Sequence, residues 1–211
     1  MDKTAVTVAA VRDVGPDAIA VELETPDGFD AWPGQFVKLI ATVDGEEEPR
    51  FYTISSPDVE GTFELTIGID PEGAVTPQLR SLEAGDELAI SGPYGDAHYE
   101  AEPRVLILAG GPGIGPAVGI AERALDDGGE AAIVYRDEAP IHEERLAELG
   151  SRGADVELLT PAETLDDAVA GALRDGTQVF VYGFADFLDD ATAALEAAGG
   201  DPDEAKIENF G

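Results

Sequence analysis

The sequence predicts two domains: an antiparallel six-stranded Greek-key β-barrel, then a Rossmann-like α/β domain on a parallel five-stranded sheet. Two observations carry this. The first half holds short β-favouring runs punctuated by glycine and proline. The second half alternates apolar runs with helical patterns, as a parallel sheet covered on both faces requires. The texture changes near Tyr99 to Pro103, which sets the expected domains at 1–100 and 101–211.

Taken in order, Ala5–Val14 and Ala18–Leu23 read as strands around the turn Gly15-Pro16-Asp17. Gln35–Val43 follows the turn Trp32-Pro33-Gly34. Arg50–Ser55, Thr62–Ile69 and Glu87–Ser91 complete the barrel, with a turn or two of helix over Thr76–Leu82. The second domain has apolar strands at Val105–Ala109, Ala131–Tyr135, Val156–Thr160 and Gln178–Tyr182, and a short edge strand at Lys206–Phe210. Helical patterns fill Pro116–Leu125, Ile141–Leu149, Leu165–Leu173 and Phe187–Ala198.

The chain has 211 residues, 44% of them hydrophobic, enough for a packed core. Its 45 acidic residues against 12 basic ones give a formal net charge of -33. The acidity is diffuse, as at Asp44-Gly45-Glu46-Glu47-Glu48 and Asp189-Asp190. Such repulsion destabilises a compact state unless salt screens it, so the expected setting is the high-salt cytoplasm of a halophile. The same charge argues against nucleic acid or an anionic membrane as partner. The sequence contains no cysteine, which excludes disulfides, Cys-ligated zinc and an iron–sulfur cluster held by this chain. Met1-Asp2-Lys3-Thr4 leads into a strand pattern rather than a signal sequence, and no uncharged run approaches the roughly 18 residues of a membrane span. The expected location is cytoplasmic. Of the two histidines, His98 and His142, the latter stands at a helix start beside Glu143 and Glu144 and reads as a surface cap. Neither has the spacing of a metal site.

Three stretches carry chemistry. In Arg50-Phe51-Tyr52-Thr53-Ile54-Ser55-Ser56, residues two apart share a strand face, so Arg50 and Tyr52 stand together. A cation, a ring and a hydroxyl side by side suit an anionic aromatic cofactor; an arginine in a surface ion pair is the plainer alternative. Thr53 must leave the Arg50/Tyr52 face unless the strand twists. Gly110-Gly111-Pro112-Gly113-Ile114-Gly115-Pro116 follows a strand and opens a helix, where free N–H groups and a partial positive charge suit a phosphate. It departs from G-x-G-x-x-G because Pro116 stands at the third glycine, and a tight βα turn is the alternative. Gly73-Ala74-Val75-Thr76 is a second such helix start, with Thr76 as N-cap and Pro77 at the first helical position; a capped helix explains it equally well. Gly92-Pro93-Tyr94-Gly95 reads first as a turn.

The order of these pieces resembles the ferredoxin–NADP reductase family of flavoproteins. The family's Pro-Gly-Gln-Phe is Pro33-Gly34-Gln35-Phe36, and its Arg-x-Tyr-Ser/Thr is Arg50-Phe51-Tyr52-Thr53. Its Gly-x-x-Ser/Thr-x-x-Leu is Gly73 to Leu79, its Gly-Pro-x-Gly is Gly92 to Gly95, and its Gly-Gly-x-Gly-Ile-x-Pro loop is Gly110 to Pro116. The resemblance implies that hydride passes from NAD(P)H to FAD, and electrons then pass to a separate acceptor, such as ferredoxin, another redox protein or a small oxidant. It implies that Arg50 neutralises the flavin nucleotide's phosphates, Tyr52 packs on the isoalloxazine beside Phe51, and Thr53 offers its hydroxyl near N5. Thr66, Ile67, Gly68 and Ile69 would run along the flavin with backbone groups. Gly73, Ala74, Val75 and Thr76 would bind its pyrophosphate. Gly110, Gly111, Gly113, Ile114, Gly115 and Pro116 would hold the nicotinamide dinucleotide. Phe210 near the C-terminus would cover the other flavin face, or else simply pin the chain end.

The chain departs from the family at Tyr182-Gly183-Phe184, where a Cys-Gly-Pro turn often stands beside the transferred hydride. Here the thiol's role is absent or filled by Tyr182, with Gly183 and Phe184 still beside the cofactor. Arg136 could bind a 2′-phosphate, but Asp137 and Glu138 would repel one, which favours NADH. An acidic ferredoxin would be repelled at low salt; screening, or a local cluster such as Lys38 and Arg80, would permit docking. A second reading is an FAD-binding electron-transfer subunit active only within a larger complex. A third is a two-domain protein binding some other nucleotide.

Overall fold

Period-two alternation builds the first domain. The computed structural model describes residues 3–43 and 45–211; Met1 and Asp2 of the N-terminal reading, and Asp44 of the acidic run, lie outside the described residues. Six strands, β1 (Thr4–Gly15), β2 (Ala18–Glu24), β3 (Phe36–Val43), β4 (Glu46–Thr53), β5 (Thr62–Gly68) and β6 (Glu87–Tyr94), form one antiparallel sheet in the order β4-β3-β6-β1-β2-β5. A bridge between Ile54 and Leu65 brings the two ends of the sheet together. The insertion of β6 between β3 and β1 makes the Greek key. Alternate residues Val6, Val8, Ile19, Val21, Leu23, Val37, Leu39, Phe63, Leu65 and Ile67 point inward and pack as one core. Short helix α1 (Thr76–Arg80) contributes Leu79 to that core, as the residue before it, Val75, also does.

Three local expectations need correction. β4 begins at Glu46, not Arg50: Glu46 to Pro49 pair with Val43 to Ile40. As a terminal strand of the sheet, β4 tolerates both the charges and Pro49, which need no partner on the open side. Gly92-Pro93-Tyr94 is not a turn but the end of β6, because Tyr94 pairs with Phe36 across the sheet. Thr76 is not the N-cap of α1. Val75 holds that position without a side-chain cap, while the Thr76 hydroxyl donates to the Asp70 carbonyl at 2.9 Å and accepts from the Asp70 N–H at 3.0 Å. With its oxygen accepting from one Asp70 group and its hydrogen given to the other, the Thr76 hydroxyl is turned to its own loop and not to the free N–H groups of the helix start.

The second sheet is parallel, in the order β11-β10-β7-β8-β9, from β7 (Arg104–Gly110), β8 (Glu130–Arg136), β9 (Asp155–Leu159), β10 (Gln178–Gly183) and β11 (Lys206–Asn209). Its three central strands, β10, β7 and β8, are apolar on both faces, as a doubly covered sheet demands. Val105, Ile107, Ile133, Tyr135, Phe180 and Tyr182 face α2 (Ile114–Asp126) and α3 (Glu143–Ser151). Leu106, Leu108, Val134, Val179 and Val181 face α4 (Asp166–Ala172) and α5 (Ala185–Ala197). Helix α2 starts two residues earlier than the pattern suggests, after a 3-10 turn over Gly111–Gly113. Pro116 thus falls within its first turn, where a missing N–H costs nothing.

Helix α2 also meets the barrel, so Ile114 to Ala121 are buried without interruption. Two glycines make this approach feasible. A Cβ on Gly115 would stand 2.7 Å from Thr66 Cβ, and one on Gly119 would stand 2.8 Å from the Ser55 carbonyl oxygen.

Candidate functional site: a cleft between the domains

Where β4 and β5 reach the second domain, a cleft of about 550 Å³ opens. The barrel lines it with Phe36, Phe51, Tyr52, Thr53, Thr66 and Gly68. The α/β domain lines it with Pro112, Pro116, Phe184 and the C-terminal run Glu208 to Gly211. The size and the mix of rings with a few hydroxyls suit a planar ligand of cofactor size.

Register explains the barrel wall. Arg50 pairs with Leu39 and Tyr52 with Val37, so Arg50 and Tyr52 share a face, as alternation demands. Phe51 and Thr53 take the other face, opposite Lys38 and Phe36. Both Tyr52 and Thr53 nevertheless line the cleft, because β4 ends at Thr53 and its last residues form the rim. Burial pushes the Tyr52 phenol up to about 12, with Arg50 opposing, so it stays neutral at ordinary pH. Phe36 sits in the cleft wall between Phe51 (5.7 Å, edge-on) and Tyr94 (5.7 Å, tilted). Phe51 is 63% exposed.

On the opposite wall, the Phe210 N–H donates to the Gly183 carbonyl at 3.0 Å, and its ring stands edge-on to Phe184 at 6.2 Å. Glu208 enters the cleft beside them; partial burial raises its carboxyl above the usual range, and Asp96 adds to the shift. Sequence reasoning quoted Phe36 and Pro112 within motifs without assigning them to the site, and it did not assign Glu208, Asn209 or Gly211 either.

The remaining sequence-chosen residues divide by position. Ile67 is buried in the barrel core and Ile69 packs against it. Arg50 does not line the cleft: its side chain is 44% exposed, and its guanidinium donates to Glu48 at 3.2 Å and to the Pro49 carbonyl at 2.7 Å. Gly73, Ala74, Val75 and Thr76 lie outside the cleft, with Val75 in the same core as Leu39, the cross-strand partner of Arg50. Gly110, Gly113 and Gly115 are each needed by packing: a Cβ there would collide with the Phe187 ring, the Tyr182 carbonyl and the Thr66 side chain respectively. Gly111 has φ +56. Ile114 is fully buried behind the loop, and Gly183 packs on Phe187.

Tyr182 is not a cleft residue. It is fully buried and its hydroxyl donates to the Ala97 carbonyl. Burial, with Glu208 and Glu102 nearby, holds the phenol well above its ordinary range. It ties the α/β sheet to the segment after the barrel and presents no reactive group to the cleft.

Arg136 donates to Asp190 at 2.6 Å and lies 5.3 Å from the Phe187 ring centroid. Arg80 donates to Asp13 at 2.9 Å rather than forming part of a basic cluster. Behind the cleft lies a polar seam that sequence reasoning missed. Glu64 accepts from Arg12 at 2.6 Å, Arg145 at 2.8 Å and Ser55 Oγ at 2.9 Å. Arg145 also donates to Glu122 and to the Ser55 carbonyl. His142, read as a surface cap, is buried, and its Nε2 lies 2.8 Å from Thr66 Oγ1. Nothing in local sequence marks the bonds of His142 and Arg145 to the barrel, because 76 to 90 residues separate the partners.

This two-domain fold is similar to that of solved two-domain reductases, and its barrel is similar in sequence to a known family. Residues 5–99, the whole barrel, match the family described as the oxidoreductase FAD-binding domain. The glycine betaine monooxygenase reductase subunit of Chromohalobacter salexigens is 41% identical over 99 residues, 44% of this chain and 27% of that protein. NADH-cytochrome b5 reductase 1 of Dictyostelium discoideum is 35% identical over 108 residues, 48% of this chain and 38% of that one. The matched stretch thus spans well under half the length of either relative. Among solved structures, the flavohem-like FAD/NAD binding domain of nitric oxide dioxygenase from Vibrio cholerae covers all of both chains, with a TM-score of 0.83 at 20% identity. A ferredoxin NADP+ reductase from Neisseria gonorrhoeae with bound FAD and NADP does so at 0.79 and 16%. At these identities the likeness concerns the fold.

Proposed function

We propose that the chain is an FAD-dependent NAD(P)H oxidoreductase, with residues 1–100 as the FAD domain and 101–211 as the dinucleotide domain. The observation that carries this is the cleft itself: Tyr52 and Thr53, from a barrel that matches the FAD-binding family, face Pro116, Phe184 and Phe210 from a Rossmann-like sheet. The residues fit an isoalloxazine. Tyr52 supplies a neutral ring face, and Thr53 and Thr66 supply hydroxyls. Gly68 leaves an open edge, where even an added Cβ would meet no atom within 4 Å. When bound, the flavin supplies hydride acceptance at N5 and one-electron release to the next carrier. Thr53 would orient the ring edge, and Phe210 would shield the far face and yield it to nicotinamide. Arg50 would turn from Glu48 to the flavin nucleotide's phosphates, a change that costs little because exposed pairs are weak. The segment Gly73 to Thr76 would add backbone donors.

NADH is the preferred donor in this reading. Arg136 is engaged by Asp190, and Asp137, which accepts from the Tyr135 hydroxyl at 3.1 Å and the Ala139 N–H at 2.9 Å, is fixed beside it. A 2′-phosphate would meet that carboxylate. The acceptor is a separate redox protein or small oxidant. The net charge of -33 supports function in a high-salt cytoplasm; among the described residues no helix is long and apolar enough to cross a membrane.

The test is purification in high salt, FAD titration, then anaerobic reduction with each dinucleotide. Saturable FAD binding and faster bleaching by NADH than NADPH are expected; no flavin binding sinks the reading. Because matched relatives are described as a reductase subunit and an electron transfer component, a subunit role is the second reading. Steady turnover with an artificial acceptor separates the two.

A further inference from the structure

The outward face of β5 carries Glu64, Thr66 and Gly68, two residues apart. Each meets something different. Glu64 takes Arg145, Thr66 takes His142, and Gly68 opens on the cleft. His142 and Arg145 are three residues apart at the start of α3, so one helix face reads this strand face across the domain boundary. Arg145, bonded to Glu64, Glu122 and the Ser55 carbonyl, already fastens the two domains. The histidine adds something other than adhesion.

We propose that His142 is a positioning residue for the cofactor cleft: its Nε2, 2.8 Å from Thr66 Oγ1, fixes the direction of the Thr66 hydroxyl at the cleft floor, where the flavin ring would lie. This rests on the reading of the cleft as an FAD site.

Three observations support it. The hydroxyl is doubly confined, with Gly115 in the first turn of α2 pressed against it from one side and His142 from another; a Cβ on Gly115 would stand 2.9 Å from Thr66 Oγ1. The His142 backbone is left-handed (φ 58, ψ 29), a conformation glycine or asparagine adopts more readily, yet a histidine stands there with its N–H donating to the Val14 carbonyl at 2.9 Å. Finally, the ring is neutral: burial pushes it down to about 3, reinforced by the Arg145 and Arg12 guanidinium groups. A neutral imidazole has one donor and one acceptor nitrogen, so its tautomer decides what Thr66 shows the cleft. If Nε2 accepts, the hydroxyl hydrogen is drawn from the cleft and lone pairs face it. If Nε2 carries the hydrogen, the threonine hydroxyl is released to donate into the cleft.

The test is a cycle on the full chain with FAD: Thr66→Val, His142→Phe, the double variant and His142→Gln. Thr66→Val and His142→Phe are expected to shift the bound-flavin spectrum and midpoint potential in one direction and to weaken FAD binding by about two- to tenfold. The double variant should match Thr66→Val alone, because the histidine acts through that hydroxyl. His142→Gln, which keeps a polar group near Nε2, should restore most of the effect. Nitrogen NMR of the apoprotein supplies a readout free of flavin: one fixed neutral tautomer at His142 that changes in Thr66→Val. A spectrum and potential untouched by His142→Phe, additive effects in the double variant, or averaged tautomers overturn the proposal. Absence of FAD binding by the unaltered chain overturns the cleft reading itself, a distinct result.

Discussion

Two arginines divide the molecule's work between its cleft and its seam. Arg50 stands in a motif that draws the eye, yet its side chain is 44% exposed and held by Glu48 and a neighbouring carbonyl. Arg145 stands in an unremarkable helix, yet it is 21% exposed and grips two carboxylates and a carbonyl from both domains. An exposed pair contributes little, whereas a buried network of charges is costly to break. The contrast teaches that a group kept ready for a ligand looks idle without it, while a group that sets domain geometry is already fully engaged. The cleft wall is held by the second kind so that the first kind can wait.

The largest expected effect tests the seam. Arg145→Met leaves Glu64 and Glu122 without their shared cation behind the cleft, and we expect a loss of about 3–5 kcal/mol, measured by urea unfolding at fixed high salt. A loss below about 1 kcal/mol would make Arg145 a surface-like pair and erase the contrast.

Next is the pH dependence of His142. Its folded value, about 3, lies below the ordinary 6.5 of an unfolded chain. Between those values the unfolded state takes up a proton that the folded ring refuses. Stability from this group is therefore present above about 6.5 and drains away as pH falls towards 3, by a few kcal/mol in total. Protonation of the crowded carboxylates pulls the other way by relieving the repulsion of a chain at -33. The difference in slope between the unaltered protein and His142→Gln isolates the histidine, and equal slopes would show that the ring is not buried neutral.

How far the sequence foretold this depends on the range of the interaction. Period-two runs such as Phe63, Leu65 and Ile67, and strand–helix alternation after Arg104, announce both sheets because burial acts on every second or fourth residue nearby. Tyr52, Thr53, Pro116 and Phe210 could be picked out for the cleft because local motifs contain them. Glu64, Arg145 and His142 could not, since their partners lie far along the chain and each looks locally like any charged or capping residue. The glycines of Gly110 to Gly115 were legible as special, but their packing reason, a close approach to Phe187, Tyr182 and Thr66, exists only in three dimensions.

On the cleft side, Arg50→Ala should leave unfolding within about 0.5 kcal/mol while weakening FAD binding by roughly 1.5–3 kcal/mol, the worth of a charge-assisted bond to phosphate. Isothermal titration and urea unfolding on the same preparation report both quantities. A stability loss with unchanged affinity would invert the assignment and place Arg50 with the structural arginines.

The smallest effect separates two neighbouring hydroxyls. Thr53 lines the cleft, whereas Ser55, two residues on, is fully buried and spends its hydroxyl on Glu64 at 2.9 Å. Thr53→Ala removes a group whose partner would be the ligand, so flavin reduction by NADH should slow by about threefold to tenfold with unfolding little changed. Ser55→Ala removes a bond that the seam already makes, so stability should drop by about 1 kcal/mol while reduction keeps its rate. Stopped-flow reduction beside unfolding curves reads the pair. If both variants slow reduction equally, the boundary between cleft and seam does not fall between these two residues, and β4 must serve the ligand beyond its end.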